Sequence, residues 1–303
     1  MGRVYPITEI SSPMAKLLLN SSSGLFGAVH SVFNSSCNIK TRMGPLLTLQ
    51  NAKVAKTPMS CLCSPEIDDF TLLSLKPGET AVLSLVDQNI QIGENTFSLA
   101  GAQEFSTKIE IKKHSICYSD YLKAMKDFLR ESPVNLYHFL IAWDQSNALT
   151  AIEKALAQKI SAAAEEIKQG FLNQDKTLII KGIDQLLGLG IGLTPSGDDL
   201  LLGFLTILTV QEKYSRIVES IKDEILHLAR ASTTEISFEF IAYFFQNYYS
   251  QPIYLLIKAL NQDNLEQFRD CLPVIAVIGH SSGKDFLTGV YLGLDFLARK
   301  YLG

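Results

Sequence analysis

Long apolar runs are missing from this sequence: nothing in its 303 residues approaches the roughly 20 apolar residues in a row that span a bilayer. The apolar stretch near the start, Met14–Leu19, is short and broken by Lys16, too little for a signal-peptide core. The expectation is a cytoplasmic protein with no membrane contact. An excess of one charge is missing too. There are 31 acidic and 27 basic residues, a net charge of −4 and no long run of either sign, so the basic footprint of a nucleic-acid binder is absent and a small-molecule partner fits better. Paired cysteines are also lacking. Cys37, Cys61, Cys63, Cys117 and Cys271 are odd in number and scattered, and the close pair is Cys-Leu-Cys rather than Cys-x-x-Cys, which reads as free thiols rather than a metal or redox site.

What is present is a well-cored globular composition, 47% hydrophobic and 19% charged, with length enough for two domains. Leu25–Phe33, Pro45–Gln50, Met59–Cys63, Ala81–Val86, Ile90–Ile92, Phe97–Leu99 and Lys108–Ile111 read as short strands parted by turn formers such as Lys76-Pro-Gly78. They suggest a mostly antiparallel barrel or sandwich over residues 1–115. After about Tyr118 the apolar spacing becomes helical, with helices expected over 147–172, 176–187, 197–211, 215–230, 235–249, 252–260 and 284–302. Leu272–Ile278 fits either a helix turn or a strand. The fold class is α+β, a β-rich N-terminal domain followed by a mainly helical domain over 116–303.

The densest signal is Gly188-Leu-Gly-Ile-Gly-Leu-Thr-Pro-Ser-Gly-Asp-Asp199. It is not a dinucleotide fingerprint, because Leu193 stands where the third glycine belongs. Nor is it a phosphate loop of the Walker type, because Asp198 and Asp199 replace the Lys and Ser or Thr. An echo follows: Ser196-Gly-Asp-Asp-Leu-Leu-Leu-Gly203 against Ser282-Gly-Lys-Asp-Phe-Leu-Thr-Gly289. In each copy Ser can be a helix N-cap and Asp, three residues on, the partner in a capping box. Capping alone does not call for glycine at the helix start, whereas free N–H groups there suit phosphate or carboxylate. The candidate anion-binding set is Gly190, Gly192, Thr194, Ser196, Gly197, Ser281, Ser282, Gly283 and Lys284. Asp198, Asp199, Asp285 and His280 are the candidate catalytic residues, the carboxylates as bases, cation ligands or loop organisers and His280 as a ligand contact in the second loop. His30, His114, His138 and His227 lie in apolar or helical contexts and read as structural. No cofactor is required, although the same carboxylates could hold a divalent cation such as Mg. Ala229–Glu235 brings hydroxyls to another helix start, with Thr233 or Thr234 as its cap.

At Gly190–Asp199, Thr233–Ser237 and Gly279–Asp285 the chain resembles a bacterial family, formerly of unknown function, labelled as a subunit of oxamate carbamoyltransferase from allantoin breakdown. The resemblance implies a multisubunit enzyme with other carbamoyltransferase subunits, one of them similar to succinyl-CoA synthetase. It also implies transfer of a carbamoyl group between carbamoyl phosphate and oxamate, or phosphorolysis of oxalurate in reverse. The Ser-Thr-Arg-Thr motif of ordinary transcarbamoylases is absent. Two other readings stay open: a metal-dependent hydrolase built on the Asp cluster, and a non-catalytic anion-binding or scaffolding subunit.

Overall fold

The computed structural model describes residues 3–113, 117–132, 140 and 151–301. His114, His138 and the first residues of the helix expected from 147 lie outside the described residues. The chain divides into two compact units, one running to Lys108 and including Tyr248–Gln251, the other made of the segments from Ile109 to Asn247 and from Pro252 onward.

The first unit is an eight-stranded β-barrel. Its strands are β1 (Val4–Ser11), β2 (Gly24–Phe33), β3 (Ser36–Thr41), β4 (Leu46–Asn51), β5 (Ser60–Cys63), β6 (Thr80–Ser84), β7 (Asn89–Ile92) and β8 (Asn95–Ser98). They run in the order β5-β4-β3-β2-β6-β7-β8-β1, and pairing of β1 with β5 closes the ring, while β9 (Gln103–Phe105) adds to β1. Closure removes the open edges that would otherwise invite intermolecular pairing. The β4–β5 and β8–β1 seams and the added β1–β9 pair are parallel, and the rest antiparallel. Register sets Cys37, Leu49 and Cys61 side by side, and likewise Leu83, Ile90 and Phe97, all fully buried. Burial pushes the Cys37 thiol up to about 12, so these cysteines behave as small core hydrophobes. Met14–Leu19 belongs to α1 (Ser12–Leu19), capped by the Ser11 hydroxyl accepting from Met14 N at 3.4 Å.

Two sequence expectations change in this unit. Lys108–Ile111 is not a strand; Lys108 makes one isolated bridge to Tyr248. Strands β1, β3 and β9 form where the sequence carried no strand expectation.

The second unit holds α2 (Tyr118–Glu131), α3 (Ala151–Asn173), α4 (Lys176–Leu186), α5 (Ser196–Leu208), α6 (Glu212–Ser220), α7 (Lys222–Ser232), α8 (Glu235–Phe244), α9 (Gln251–Asn261), α10 (Leu265–Ala276) and α11 (Ser282–Tyr301). The helix expected over 215–230 is two, broken at Ile221, whose backbone leaves the helical region. The one expected over 235–249 stops at Phe244, and Asn247 is left-handed at φ 62°. The ambiguous Leu272–Ile278 segment begins as helix, the end of α10, with Pro273 inside it. At the core, α5 packs along α11, and Phe171, Phe204, Tyr214 and Phe296 join α3, α5, α6 and α11 by edge-on ring contacts with centroids 5.4 to 6.3 Å apart. Such pairs add about 0.5–1.5 kcal/mol each beyond area burial, which fixes the two helices whose starts carry the echo.

Candidate functional site

The two echoed segments meet. Leu189 N donates to Leu186 O at 3.0 Å and Gly197 N to Leu189 O at 2.8 Å. In the second copy Ile278 N donates to Ile275 O at 2.9 Å and Gly283 N to Ile278 O at 3.1 Å. The turns are the same, the first with three more residues before its helix. Within each, a Cβ on Gly197 or Gly283 would fall closer than 3.0 Å to the carbonyl oxygen of Leu186 or Ile275. Glycine at the helix start is therefore demanded by the preceding helix. The expectation that Gly197 and Gly283 offer free N–H groups to an anion is corrected: both groups already bond carbonyls. Among the described residues, the amides of Ser196, Ser282 and Lys284 are the ones at these starts that no protein acceptor takes.

The capping box of the first copy is likewise absent. Pro195, not Ser196, occupies the N-cap position of α5, with φ −56° and ψ 142° and no side-chain cap. Instead the hydroxyls cross over. Ser282, at the start of α11, donates to Asp199 Oδ2 on α5 at 2.6 Å, and its Oγ lies 2.8 Å from the Thr194 hydroxyl of the first loop. The Ser282 hydrogen is committed to the carboxylate, so Thr194 is the donor in the second bond. Reciprocally, the Ser196 and Ser281 hydroxyls stand against the Asp285 carboxyl on α11 and favour its charged form. The backbones cross the same way: a Cβ on Gly203 would fall closer than 3.0 Å to Phe286 O, and one on Gly289 equally close to Leu200 O. Residues 196 to 203 and 282 to 289 thus pair like two copies related by an approximate twofold.

The third position of each copy breaks the equivalence. Asp198 is fully buried and turned away from the junction. Its Oδ1 accepts from Gly188 N at 2.8 Å, and its Oδ2 accepts from Ser237 at 2.6 Å and from Thr233. This buried carboxylate fastens the glycine loop to the start of α8, as buried charges must be paired. Burial holds its carboxyl above the usual range, against the pull of the three donors. Thr234 caps α8 by accepting from Ser237 N at 3.1 Å and donates to Leu193 O. The opposite number of Asp198 is Lys284, partly buried beside Asp285. Gly190 packs against Ser196 with φ 132°, whereas Gly192 is exposed in open space. His280 is exposed and joins none of these hydrogen bonds.

Electrostatics single out the crossed carboxylates. Burial holds Asp199 well above the usual carboxylate range; the Ser282 and Thr194 hydroxyls pull it down, and the charges of Asp285 and Asp198 push it up. Asp285 is 3% exposed, and burial lifts its carboxyl to about 6 against the hydroxyls of Ser196 and Ser281 and the charge of Lys284. Among the described residues no protein group hydrogen-bonds its buried Oδ2. A carboxyl whose folded value exceeds its unfolded 3.8 weakens the fold as pH rises from that value through about 6. Asp285→Asn should therefore leave stability nearly unchanged at pH 3.5 and add about 3 kcal/mol, roughly 5–10 °C in melting temperature, at pH 7.5. Calorimetric melts at the two pH values check this, and an equal gain at both would show that ionisation is not the cause.

Among the described residues no group of three or more His, Cys, Asp or Glu is gathered for a metal ion. No described helix is long and apolar enough to cross a membrane. The Thr233 and Ser237 hydroxyls organise the glycine loop from α7 and α8; the sequence marked their segment by its hydroxyls and by the family resemblance over Thr233–Ser237, without indicating that they bond Asp198.

Residues 186–294, which span both loops, match the family model described as oxamate carbamoyltransferase subunit AllH. Residues 7–104, the barrel, match the AllH family N-terminal domain. No solved structure matches the chain significantly.

Proposed function

The chain belongs to the AllH family, whose members are oxamate carbamoyltransferase subunits, and from that premise we propose that its two crossed helix starts are the enzyme's substrate site. The reaction is transfer of a carbamoyl group between phosphate and oxamate, and the other subunits complete the assembly. The carrying observation is the hydrogen bond from Ser282 of one loop to Asp199 of the other, with Thr194 behind it. It joins a carboxylate of raised affinity for protons to helix starts whose Ser196 and Ser282 amides no protein acceptor takes, and Lys284 acts electrostatically on the crossed partner, Asp285.

In the phosphorolytic direction a phosphate oxygen bonds to the terminal carbamoyl carbon of oxalurate. The bond from that carbon to the oxamate nitrogen then breaks, and the nitrogen leaves with a proton from protonated Asp199; hydrogenphosphate releases a proton in turn. In the reverse direction the oxamate nitrogen bonds to the carbamoyl carbon, the bond to phosphate oxygen breaks, and Asp199 takes the nitrogen's proton. A carboxyl raised above its usual range serves both directions near neutral pH. Lys284 and the amides of Ser196 and Ser282 hold phosphate and carboxylate, aided by the positive ends of two helices.

Lys284→Met tests the anion half of this reading. A lysine on a first helical turn opposes the helix dipole, so its loss should not lower the melting temperature. Inorganic phosphate should bind the assembled enzyme at least ~10-fold more weakly, since one charged hydrogen bond is worth about 1.5–3 kcal/mol. Unchanged phosphate affinity in a calorimetric titration would remove Lys284 from the site.

A further inference from the structure

We infer that Asp285 is the residue that selects an amide-bearing substrate, its unpartnered Oδ2 accepting an N–H from the ligand. The inference rests on the two-loop site proposed above and names what that site recognises besides negative charge. A carboxylate oxygen accepts hydrogen bonds and repels anions. Helix starts and a lysine alone would select any small dianion, and a carboxylate placed among them would only weaken such a site. Here the carboxylate is 3% exposed, at the junction where Ser196 comes over from the other helix, and one of its oxygens has no donor from the protein.

The crossed partner makes the point by contrast. Asp199 Oδ2 receives Ser282, which itself receives Thr194. Asp198 receives three donors. Of the three loop carboxylates, Asp285 alone keeps a buried oxygen without a donor. Leaving such an atom unmet is costly, more so for a charged group, so a ligand that meets it is selected over one that cannot. The ligand must also carry negative charge for the Ser196 and Ser282 amides and for Lys284, which adjoins Asp285. Together these requirements describe a short molecule with a carboxylate at one end and a carboxamide or ureide N–H at the other.

Oxamate and oxalate separate the alternatives, because they share a shape and differ in having an amide or a second carboxylate. Calorimetric titration of each into the full chain, and into the assembled enzyme, should give at least ~100-fold tighter binding of oxamate. That preference runs against the extra charge of oxalate, which Lys284 alone would favour. In Asp285→Asn, whose side chain can donate as well as accept, the two ligands should bind within ~10-fold of each other, mainly because oxalate binds more tightly. Asp285→Ala provides a second variant that removes the acceptor outright and should level the preference by weakening oxamate. Equal affinities in the parent, or a preference that survives both substitutions, would overturn the assignment of Asp285 while leaving the anion site standing. Failure of both ligands to bind the chain and the assembly would overturn both.

Discussion

Replacing Asp199 with asparagine should lower the transfer rate of the assembled enzyme by at least ~100-fold, in both directions, without loss of stability at neutral pH. Asparagine keeps an oxygen that can accept the Ser282 hydroxyl, so the tie between the loops survives. What disappears is the group that exchanges a proton with the oxamate nitrogen. Because burial and the neighbouring Asp285 hold Asp199 well above the usual carboxylate range, its ionised form weakens the fold above the unfolded value, and a neutral amide removes that penalty. Loss of rate with unchanged or higher melting temperature is therefore the signature of a residue kept for chemistry. Steady-state rates and melting curves on the same preparations measure it. A variant that turns over within ~3-fold of the parent would leave the crossed hydroxyl and carboxylate with a packing role alone.

The echo of Ser-Gly-x-Asp was legible in the sequence; its partners were not. Serine followed by an acid three residues later fits a capping box, a local pattern, and the sequence offers no sign that Ser282 reaches a carboxylate 83 residues earlier. The glycines were legible in kind, as close approaches, but a carbonyl of the preceding helix, not a ligand, presses on Gly197 and Gly283. In the barrel, strands rich in Val, Ile and Leu such as β2 and β6 stood out, whereas β3 did not. Its Asn38 is buried because Thr48 on β4 donates to it at 2.7 Å, and that compensation comes from the neighbouring strand. Strand β1 contains Pro6, which ordinarily argues against a strand; it pairs in parallel with Ser98 of β8, and Pro6 O accepts from Ser64 N at 2.7 Å. Lys108–Ile111 had strand composition and found only one bridge. Helix ends failed where a single backbone angle decided them, as at Ile221.

Gly203→Ala and Gly289→Ala should each destabilise the helical unit by about 3 kcal/mol or more, and by similar amounts. A methyl at either position falls closer than 3.0 Å to a backbone oxygen, Phe286 O for Gly203 and Leu200 O for Gly289. Each also meets a backbone nitrogen of the facing helix within 3.0 Å, Val290 N for Gly203 and Phe204 N for Gly289. Backbone cannot swing aside as a side chain can, so relief requires α5 and α11 to move apart. Those helices bury Leu200, Leu201, Leu205, Leu287, Val290 and Leu294 at 1% exposure or less, and separating them opens gaps along that whole seam. The contacts being reciprocal, a single parting of the helices accommodates both methyls, and the double variant should cost clearly less than the sum of the two. Gly192→Ala is the control. It has open space around it and pays only for a left-handed backbone at φ 118°, about 1–3 kcal/mol. Its melting temperature should fall no further than that of either helix variant. Urea unfolding of the four proteins checks the order. Strict additivity of the two helix glycines would mean that the copies yield independently, and the approximate twofold would then have no mechanical meaning.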